Sequence, residues 1–306
     1  MLNYIVKRIL NVIPVLIVVS FVVFMIVRLV PGDPVKNMLG MNATEEQITL
    51  TRQELGLDRP LLEQYVTYMK GILKGDLGKS ILTKQTVVYE ISTRLGNTLR
   101  VAALSTLFSL VVGVILGIIA ALNRSKIWDT LIMILSLLAV STPVFFLGLL
   151  MMLLFAVTLG WFPTVGLSTP LHYVMPVVTL GMQSVGIVAR TTRSSMLDVL
   201  GEDYVRTAKA SGIPRGTLIY KNALRNALIP IITVIGLRFG NLLTGAALTE
   251  TVFTIKGIGT LLVESVSQRD YPLIQGCVLM FAVVFVVVNL VTDICYAFAD
   301  PRVKYT

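Results

Sequence analysis

Residues 101–122 read VAALSTLFSLVVGVILGIIAAL and contain no charged side chain. A helix needs about 20 apolar residues to cross the ~30 Å hydrocarbon core of a bilayer, and this stretch is long enough. Of the 306 residues in the chain, 55% are hydrophobic and 14% are charged, and the mean hydropathy is +0.81. Soluble domains have a more polar composition. The chain is therefore predicted to be a membrane protein built from apolar helices.

Further apolar stretches on both sides of this segment predict an all-α fold with six transmembrane helices. Pro143 lies inside the third stretch, which ends at a break over 160–170. The opening stretch lacks a small-residue cleavage site, so we interpret it as a retained helix and not as a signal peptide. The predicted spans are 9–27, 101–122, about 130 to the break, 174–189, 227–249 and 273–292. Six spans place both termini on one side of the membrane.

The distribution of basic residues predicts the orientation, because cytoplasmic loops are enriched in Lys and Arg. The predicted outer loop 160–173 has none, and the outer loop 250–272 has only Lys256 and Arg269. The other side carries Lys7, Arg8, Arg124, Lys126, seven basic residues from 190 to 225, Arg302 and Lys304. We therefore expect a multi-pass protein of the cytoplasmic membrane with both termini in the cytoplasm. The net charge of +9 then reflects topology and not nucleic-acid binding.

Residues 31–97 form a polar segment that is predicted to lie outside the cell. It carries eight basic and eight acidic residues, which favours an ordered, charge-balanced segment. Thr44 and Gln47 have the spacing of a capping box for a helix ending near Gly56, and Pro60 is suited to open a second helix. The apolar face of that helix would comprise Leu61, Leu62, Tyr65, Met69 and Ile72. The predicted domains are 1–30, 31–97 and 98–306.

Small residues recur every four positions in two spans and predict faces for close helix packing. They are Ser105, Ser109, Gly113, Gly117 and Ala121 in the second span, and Gly236, Gly240 and Thr244 in the fifth.

Polar residues at helical spacing in the fourth and fifth spans predict another face. Polar groups in hydrocarbon are costly and usually face a bundle interior or a water-filled path. The candidates for lining such a path are Thr179, Gln183, Arg190, Arg238 and Asn241. For Arg238 an ion pair between helices, with no contact to a solute, stays an open alternative.

Residues 201–230, which are predicted to lie in the cytoplasm, read GEDYVRTAKASGIPRGTLIYKNALRNALIP. This stretch is too polar to cross a bilayer and is rich in helix-forming residues. An Ala-rich helix ending at Gly212, with Pro214 opening the next helix, makes a compact helix-turn-helix hairpin. Such a hairpin is suited to dock a partner protein.

The hairpin resembles the EAA loop of ABC importer permeases, which docks into a cleft on an ATP-hydrolysing subunit. Ala208 and Gly212 match the second Ala and the Gly of that loop, and Leu224 also fits. The departures are Arg206, Thr207, Asn222 and Arg225, which stand at its Glu, its first Ala and its later Ile and Pro.

Other motifs resemble the oligopeptide, dipeptide and nickel branch of these permeases, and the first permease of the pair. They are PGDP at 31–34, GDLGKS at 75–80, ETVFTIKGIGTLL at 250–262, RDYPLIQG at 269–276 and DPR at 300–302. The resemblance covers nearly the whole chain. It implies ATP-driven import, by alternating access, of peptides, a nickel complex, glutathione or a related small solute.

The resemblance also implies the partners and a coupling loop at about 198–226. The partners would be a second, homologous permease, two ATPase subunits that bind ATP and Mg²⁺, and an extracytoplasmic substrate-binding protein. This chain would hold no cofactor or metal, would not hydrolyse ATP, and would contact membrane lipid but no nucleic acid. The implied ATPase-coupling residues are Glu202, Asp203, Tyr204, Arg206, Thr207, Ala208, Gly212 and Pro214.

Other function classes fit the residues less well. Gly78 to Ser80 resemble the end of a phosphate-binding loop, but Leu73 stands where that loop requires its first Gly. His172 is the only histidine, so neither a Ser-His-Asp triad nor a His-based metal cluster can form. The alternative is a self-sufficient secondary transporter or channel. It would need intramembrane carboxylates, for which Asp293 is the only candidate.

Overall fold

The computed structural model describes residues 2–29, 35, 39, 43–54 and 56–299, and all regular elements in these ranges are helices. The predicted all-α class is confirmed. The helices are α1 (Leu2–Leu29), α2 (Glu45–Glu54), α3 (Leu61–Leu73), α4 (Val87–Leu122), α5 (Ile127–Ser141), α6 (Val144–Met151), α7 (Leu171–Gly201), α8 (Asp203–Ala210), α9 (Leu224–Val252), α10 (Ile258–Gln268) and α11 (Tyr271–Ala299). The PGDP and DPR motifs and the side chain of Asp293 lie outside the described residues.

Several of these helices are long and apolar enough to cross a membrane. Among the described residues, four qualify, within 87–122, 171–201, 215–240 and 271–292. The bent pair formed by 127–141 and 144–158 gives a fifth candidate if both halves count as one span, and α1 contributes the shorter apolar stretch Asn11–Ile26. The count of six spans stays a prediction.

Two helices extend more than ten residues beyond one end of their predicted membrane spans. Helix α4 begins at Val87 and not near Val101, because the Thr86 hydroxyl caps it by accepting a hydrogen bond from the backbone N–H of Tyr89. It therefore runs without a break through the predicted domain boundary at 97. Helix α7 continues to Gly201 and does not end at Ala189. Hydropathy identifies only the apolar part of a helix, which can lie in the lipid. The backbone hydrogen bonds of the same helix continue into the polar sequence beyond it, so the helix is longer than the span.

The third predicted span is sharply bent at Pro143. Helix α5 ends at Ser141, Pro143 precedes α6, and the two halves of the pair differ in direction by 106°. Proline has no backbone N–H and its ring clashes with the preceding turn, so it breaks a helix here. Helix α6 then continues into a wide π-helical turn, Met152–Thr158.

Three clusters of buried apolar side chains lie along α4. Near its N-terminus, Val87 and Ile91 pack with α10 and α11. Val101 belongs to a middle cluster with α7 and α9. Near the C-terminus, Ile118 and Ala121 pack with α7, α9 and the π-helical turn Leu218–Ala223. Since α4 has 36 residues and is therefore ~54 Å long, it is the element that all three clusters share.

Buried carboxylates fasten the loops around the N-terminal end of α4. Thr98 donates a hydrogen bond of 2.6 Å to Glu250, whose other oxygen accepts from the backbone N–H of Thr260 at 3.1 Å. Ser80 donates one of 2.5 Å to the buried Asp270. Ser80, which belongs to the segment that resembles a phosphate-binding loop, thus has a structural partner.

The short helices of the segment 31–97 follow the predicted signals. Thr44 and Gln47 form the predicted capping box, with backbone to side-chain distances of 3.1 and 3.3 Å, and Gly56 has a φ of +63°. In α3, Tyr65 packs edge-on against Phe21 and Phe24 of α1.

Only part of the predicted apolar face of α3 is covered, since Leu61 and Leu62 are exposed.

On the same helix, burial raises the pKa of Tyr68 to about 12.

The predicted small-residue faces are packing faces in the structure. A side chain at Gly113 would meet Val188 of α7, and one at Gly117 would meet Thr192. Gly236 and Gly240 of α9 similarly lie against Thr292 and Phe285 of α11. The side chain of Thr244 lies outside the described residues.

Candidate functional site

The predicted hairpin projects from the end of α7. Helix α7 ends at Gly201, Glu202 has an extended backbone (φ −69°, ψ 147°), and α8 begins at Asp203. Seven of the eight residues of α8 are not buried; Val205, which is 3% exposed, is the exception. The hairpin is thus a short helix with one apolar anchor and an open outer surface.

Gly212 ends α8 in the way that its sequence predicts. It has a φ of +77°, in the left-handed region that favours glycine. Its N–H donates to the carbonyl of Lys209 at 3.2 Å, and the N–H of Ile213 donates to that of Ala208 at 3.3 Å. This pair of bonds is a Schellman motif, which closes a helix C-terminus and turns the chain back.

The root of the hairpin is held against the body of the protein. Leu218 and Ile219 are buried, and Ile219 joins the cluster at the C-terminal end of α4. Asn226 donates a hydrogen bond of 2.6 Å to the Tyr204 hydroxyl, which ties α8 to the start of α9. Neither Val205 nor Asn226 was predicted from the sequence. The alternation of one apolar residue with polar neighbours is the signal that could have identified Val205.

The other predicted hairpin residues lie on or beside the open surface. Arg206 forms an exposed ion pair with Asp203 at 3.5 Å, and Thr207 is exposed beside the half-buried Ala208. Pro214 precedes a single helical turn, Arg215–Thr217. An exposed polar surface on an anchored, capped helix can dock a partner protein.

The structure does not place the path candidates of α7 on one open surface. Thr179 is buried against Gly148 of α6. The Gln183 side chain donates a hydrogen bond of 3.0 Å to the carbonyl of Thr142, at the bend that follows α5. Arg190 is exposed. Thr179 and Gln183 therefore contact the bent pair of helices, and a path role for these residues stays a prediction.

Arg238 lies half-buried on α9. Within the described residues, no side chain forms a hydrogen bond or ion pair with its guanidinium. Asn241 follows one turn later, and its side chain lies outside the described residues.

Among all the residues that the structure describes, no group of three His, Cys, Asp or Glu side chains could hold a metal ion.

An ion pair that was not predicted from the sequence lies between α5 and α7, with its carboxylate buried and its guanidinium half-buried. Arg193 donates two hydrogen bonds to the carboxylate of Asp129, Nε to Oδ1 at 2.5 Å and Nη2 to Oδ2 at 2.7 Å. The backbone N–H of Ser125 donates to the same carboxylate at 2.9 Å. The two charged residues are 64 positions apart, so no local pattern indicates that they meet.

Comparison with known proteins decides the family. Residues 113–305 match the family described as "Binding-protein-dependent transport system inner membrane component", and residues 1–102 match the corresponding N-terminal family. The chain belongs to this family of ABC importer permeases. More specifically, the permease belongs to the peptide and nickel branch, as its motifs predicted. The family is a transport component and not an enzyme, which sets aside the enzyme and secondary-transporter alternatives.

Individual relatives resemble the permease over its whole length. The "Glutathione transport system permease protein GsiC" of Salmonella paratyphi A is 45% identical over 305 residues, with 100% of each chain covered. The protein of the same name from Escherichia coli K12 is 44% identical, also with 100% of each chain covered. A solved structure of the MetNI methionine ABC transporter, facing inward, has a TM-score of 0.58 at 18% identity and covers 69% of the permease and 97% of that chain. It shows a shared fold.

Proposed function

We propose that this permease is the first of two different permease subunits in an importer of glutathione or a similarly small peptide. The observation that carries the proposal is the identity of 45% over the full length of both chains to a permease named for glutathione transport. Larger peptides and nickel complexes are the other candidate solutes of this branch. Selection would lie partly in the substrate-binding protein that delivers the solute.

The hairpin is the proposed docking element for the ATPase subunits. Its outer surface carries Glu202, Asp203, Tyr204, Arg206, Thr207, Ala208, Gly212 and Pro214. Support comes from the exposure of α8, from its anchoring by Val205, and from the continuity of α7 with the hairpin. ATP and Mg²⁺ would bind to the ATPase subunits, and this chain would hold neither. Closure of those subunits would move the hairpin, tilt the helices joined to it and open the path outward.

The proposed topology has six spans with both termini in the cytoplasm. The spans would be α1, α4, the bent pair that begins with α5, α7, α9 and α11. Residues 31–97 and the N-terminal end of α4 would then lie outside, where the substrate-binding protein docks, and the core 98–306 would contain the coupling loop at 198–226. The excess of Lys and Arg on the hairpin side supports this orientation.

Arg238 is the strongest candidate for contact with an anionic solute along the path, together with Asn241. A half-buried guanidinium without an ion-pair partner in the described part of its own chain is costly unless water or a ligand solvates it. A carboxylate of a short peptide has the required charge. Thr179, Gln183 and Arg190 would contribute where α7 faces the second permease.

Uptake by the reconstituted importer tests the proposed function. The permease would be placed in proteoliposomes with the second permease, the two ATPase subunits and the binding protein encoded with it. We expect ATP-dependent accumulation of labelled glutathione, and none when the binding protein is omitted. Accumulation of a nickel chelate or a longer peptide, with glutathione excluded, would contradict the proposed substrate class. ATP-independent uptake would contradict the importer mechanism for this assembly.

A further inference from the structure

The ion pair between Asp129 and Arg193 lies where two helices must move together if the hairpin is to drive transport. Arg193 is on α7, eight residues before its end at Gly201, where the hairpin begins. Asp129 is in the first turn of α5 and is 5% exposed. The pair therefore connects the C-terminal part of α7, which leads into the hairpin, to the first turn of α5.

The geometry of the pair resists sliding as well as separation. Two parallel hydrogen bonds between a guanidinium and a carboxylate fix both distance and orientation. The third bond, from the N–H of Ser125, fixes the same carboxylate to the connection between α4 and α5. Ser125 has a φ of +62°, so that connection holds a backbone conformation that non-glycine residues rarely adopt.

An ion pair with a buried carboxylate and a half-buried guanidinium contributes little to the stability of a fold, because desolvation and solvent screening offset most of the attraction between the charges. Its distinctive property is directional: it specifies one relative placement of two elements. On an adjacent face of α7, which includes Thr192 directly before Arg193, the glycines of α4 allow close packing at Gly113 and Gly117. Helix α7 is thus held on one face by close packing against α4 and on the next face by a charged, bidentate contact with α5.

We propose that Asp129 and Arg193 are a positioning pair that makes α5 and the α4–α5 connection follow α7 when the ATPase subunits move the hairpin. This role rests on the proposed coupling function of the hairpin. Farther from the hairpin, Gln183 and Thr179 of α7 also contact the bent pair of helices. Without the ion pair, the start of α5 and the α4–α5 connection could therefore lag behind the hairpin end of α7. ATP would then be hydrolysed with little solute transported.

The test measures solute transported per ATP hydrolysed in proteoliposomes that contain the complete importer. Asp129→Asn and Arg193→Gln remove one charge each, and the double variant removes both. Arg193→Lys keeps the charge but loses the bidentate geometry. Matched controls are Asp198→Asn, at an exposed position on α7, and Lys126→Gln, at an exposed position before α5.

We expect each single variant to assemble and to hydrolyse ATP, with the transport ratio lowered several-fold. The double variant should be no worse than the more impaired single variant, and the controls should keep the ratio of the unmodified protein. If the charge-removing variants fail to assemble, Arg193→Lys decides by the same ratio. An unchanged ratio, or a parallel fall in transport and hydrolysis, overturns the positioning role.

The Gly212→Ala variant, measured alongside, separates the two proposals. A lowered ratio in Gly212→Ala with a normal ratio in the Asp129 and Arg193 variants contradicts the positioning pair alone. A normal ratio in Gly212→Ala contradicts the assignment of the hairpin itself.

Discussion

Gly212 contributes to the hairpin through its backbone and not through contacts. Its φ is +77°, and a Cβ built on it would meet no atom within 4 Å. Gly212→Ala therefore introduces backbone strain without a clash, at a cost of about 1 kcal/mol to the hairpin conformation. We expect an assembled importer with weakened coupling between ATP hydrolysis and transport. Gly216→Ala is the control, since Gly216 has equal space and no positive φ; equal effects of both changes would contradict this explanation.

Arg238 can be tested by removing its charge and keeping most of its length. A charge at the centre of a membrane helix carries an insertion penalty of ~2.5–3.5 kcal/mol. Because the described residues offer it no ion-pair partner, we expect Arg238→Gln to leave assembly intact and to alter the KM or rate of uptake. Arg100→Gln, at an exposed position on α4, controls for loss of a positive charge. Loss of the assembled complex would assign Arg238 a structural role.

Among the elements, α4 and α7 pack closely enough for a single substitution to probe their contact. A methyl group at Gly117 would meet the Cβ of Thr192 and the carbonyl of Ala189. Overpacking of this kind typically costs 1–3 kcal/mol, so Gly117→Ala should lower the thermal unfolding temperature in detergent by several degrees. Gly96→Ala, on the same helix with open space around it, should have no effect or raise that temperature. The reverse order of the two variants would contradict the packing.

Element boundaries show which features the sequence could predict. The capping box at Thr44 and the end of α8 at Gly212 were predicted correctly, because neighbouring residues decide them. The predicted span 174–189 covers only part of α7, since hydropathy falls after Ala189 while the helix continues to Gly201. The angle at Pro143 and the pairing of Asp129 with Arg193 depend on elements distant in sequence. The sequence of one chain does not show which distant elements meet in the fold. The hairpin was therefore predicted well, and its connection to the bent span was not.

At the scale of the whole molecule, the orientation in the membrane can be measured directly. Glu63 and Lys209 are both exposed and lie on opposite sides in the proposed topology. We expect Glu63→Cys to react with a membrane-impermeant thiol reagent in spheroplasts, and Lys209→Cys to react only after permeabilisation. The unmodified chain is the control for its own thiols, of which Cys277 is buried. The opposite labelling pattern would invert the topology.

The length of α7 determines how far its hairpin end is displaced when the helix rotates. With 31 residues the helix is ~46 Å long, so a displacement of about 4 Å at its hairpin end needs a rotation of only about 5° around its far end. At Thr192, about 32 Å from that pivot, the same rotation gives a displacement of nearly 3 Å. Because Thr192 and Gly117 are in close contact, Thr192 cannot shift this far past Gly117 unless α4 rotates with α7. The displacement of α4 and α7 then decreases steadily with distance from the hairpin. The opposite ends of the two helices can stay nearly still while their hairpin ends move.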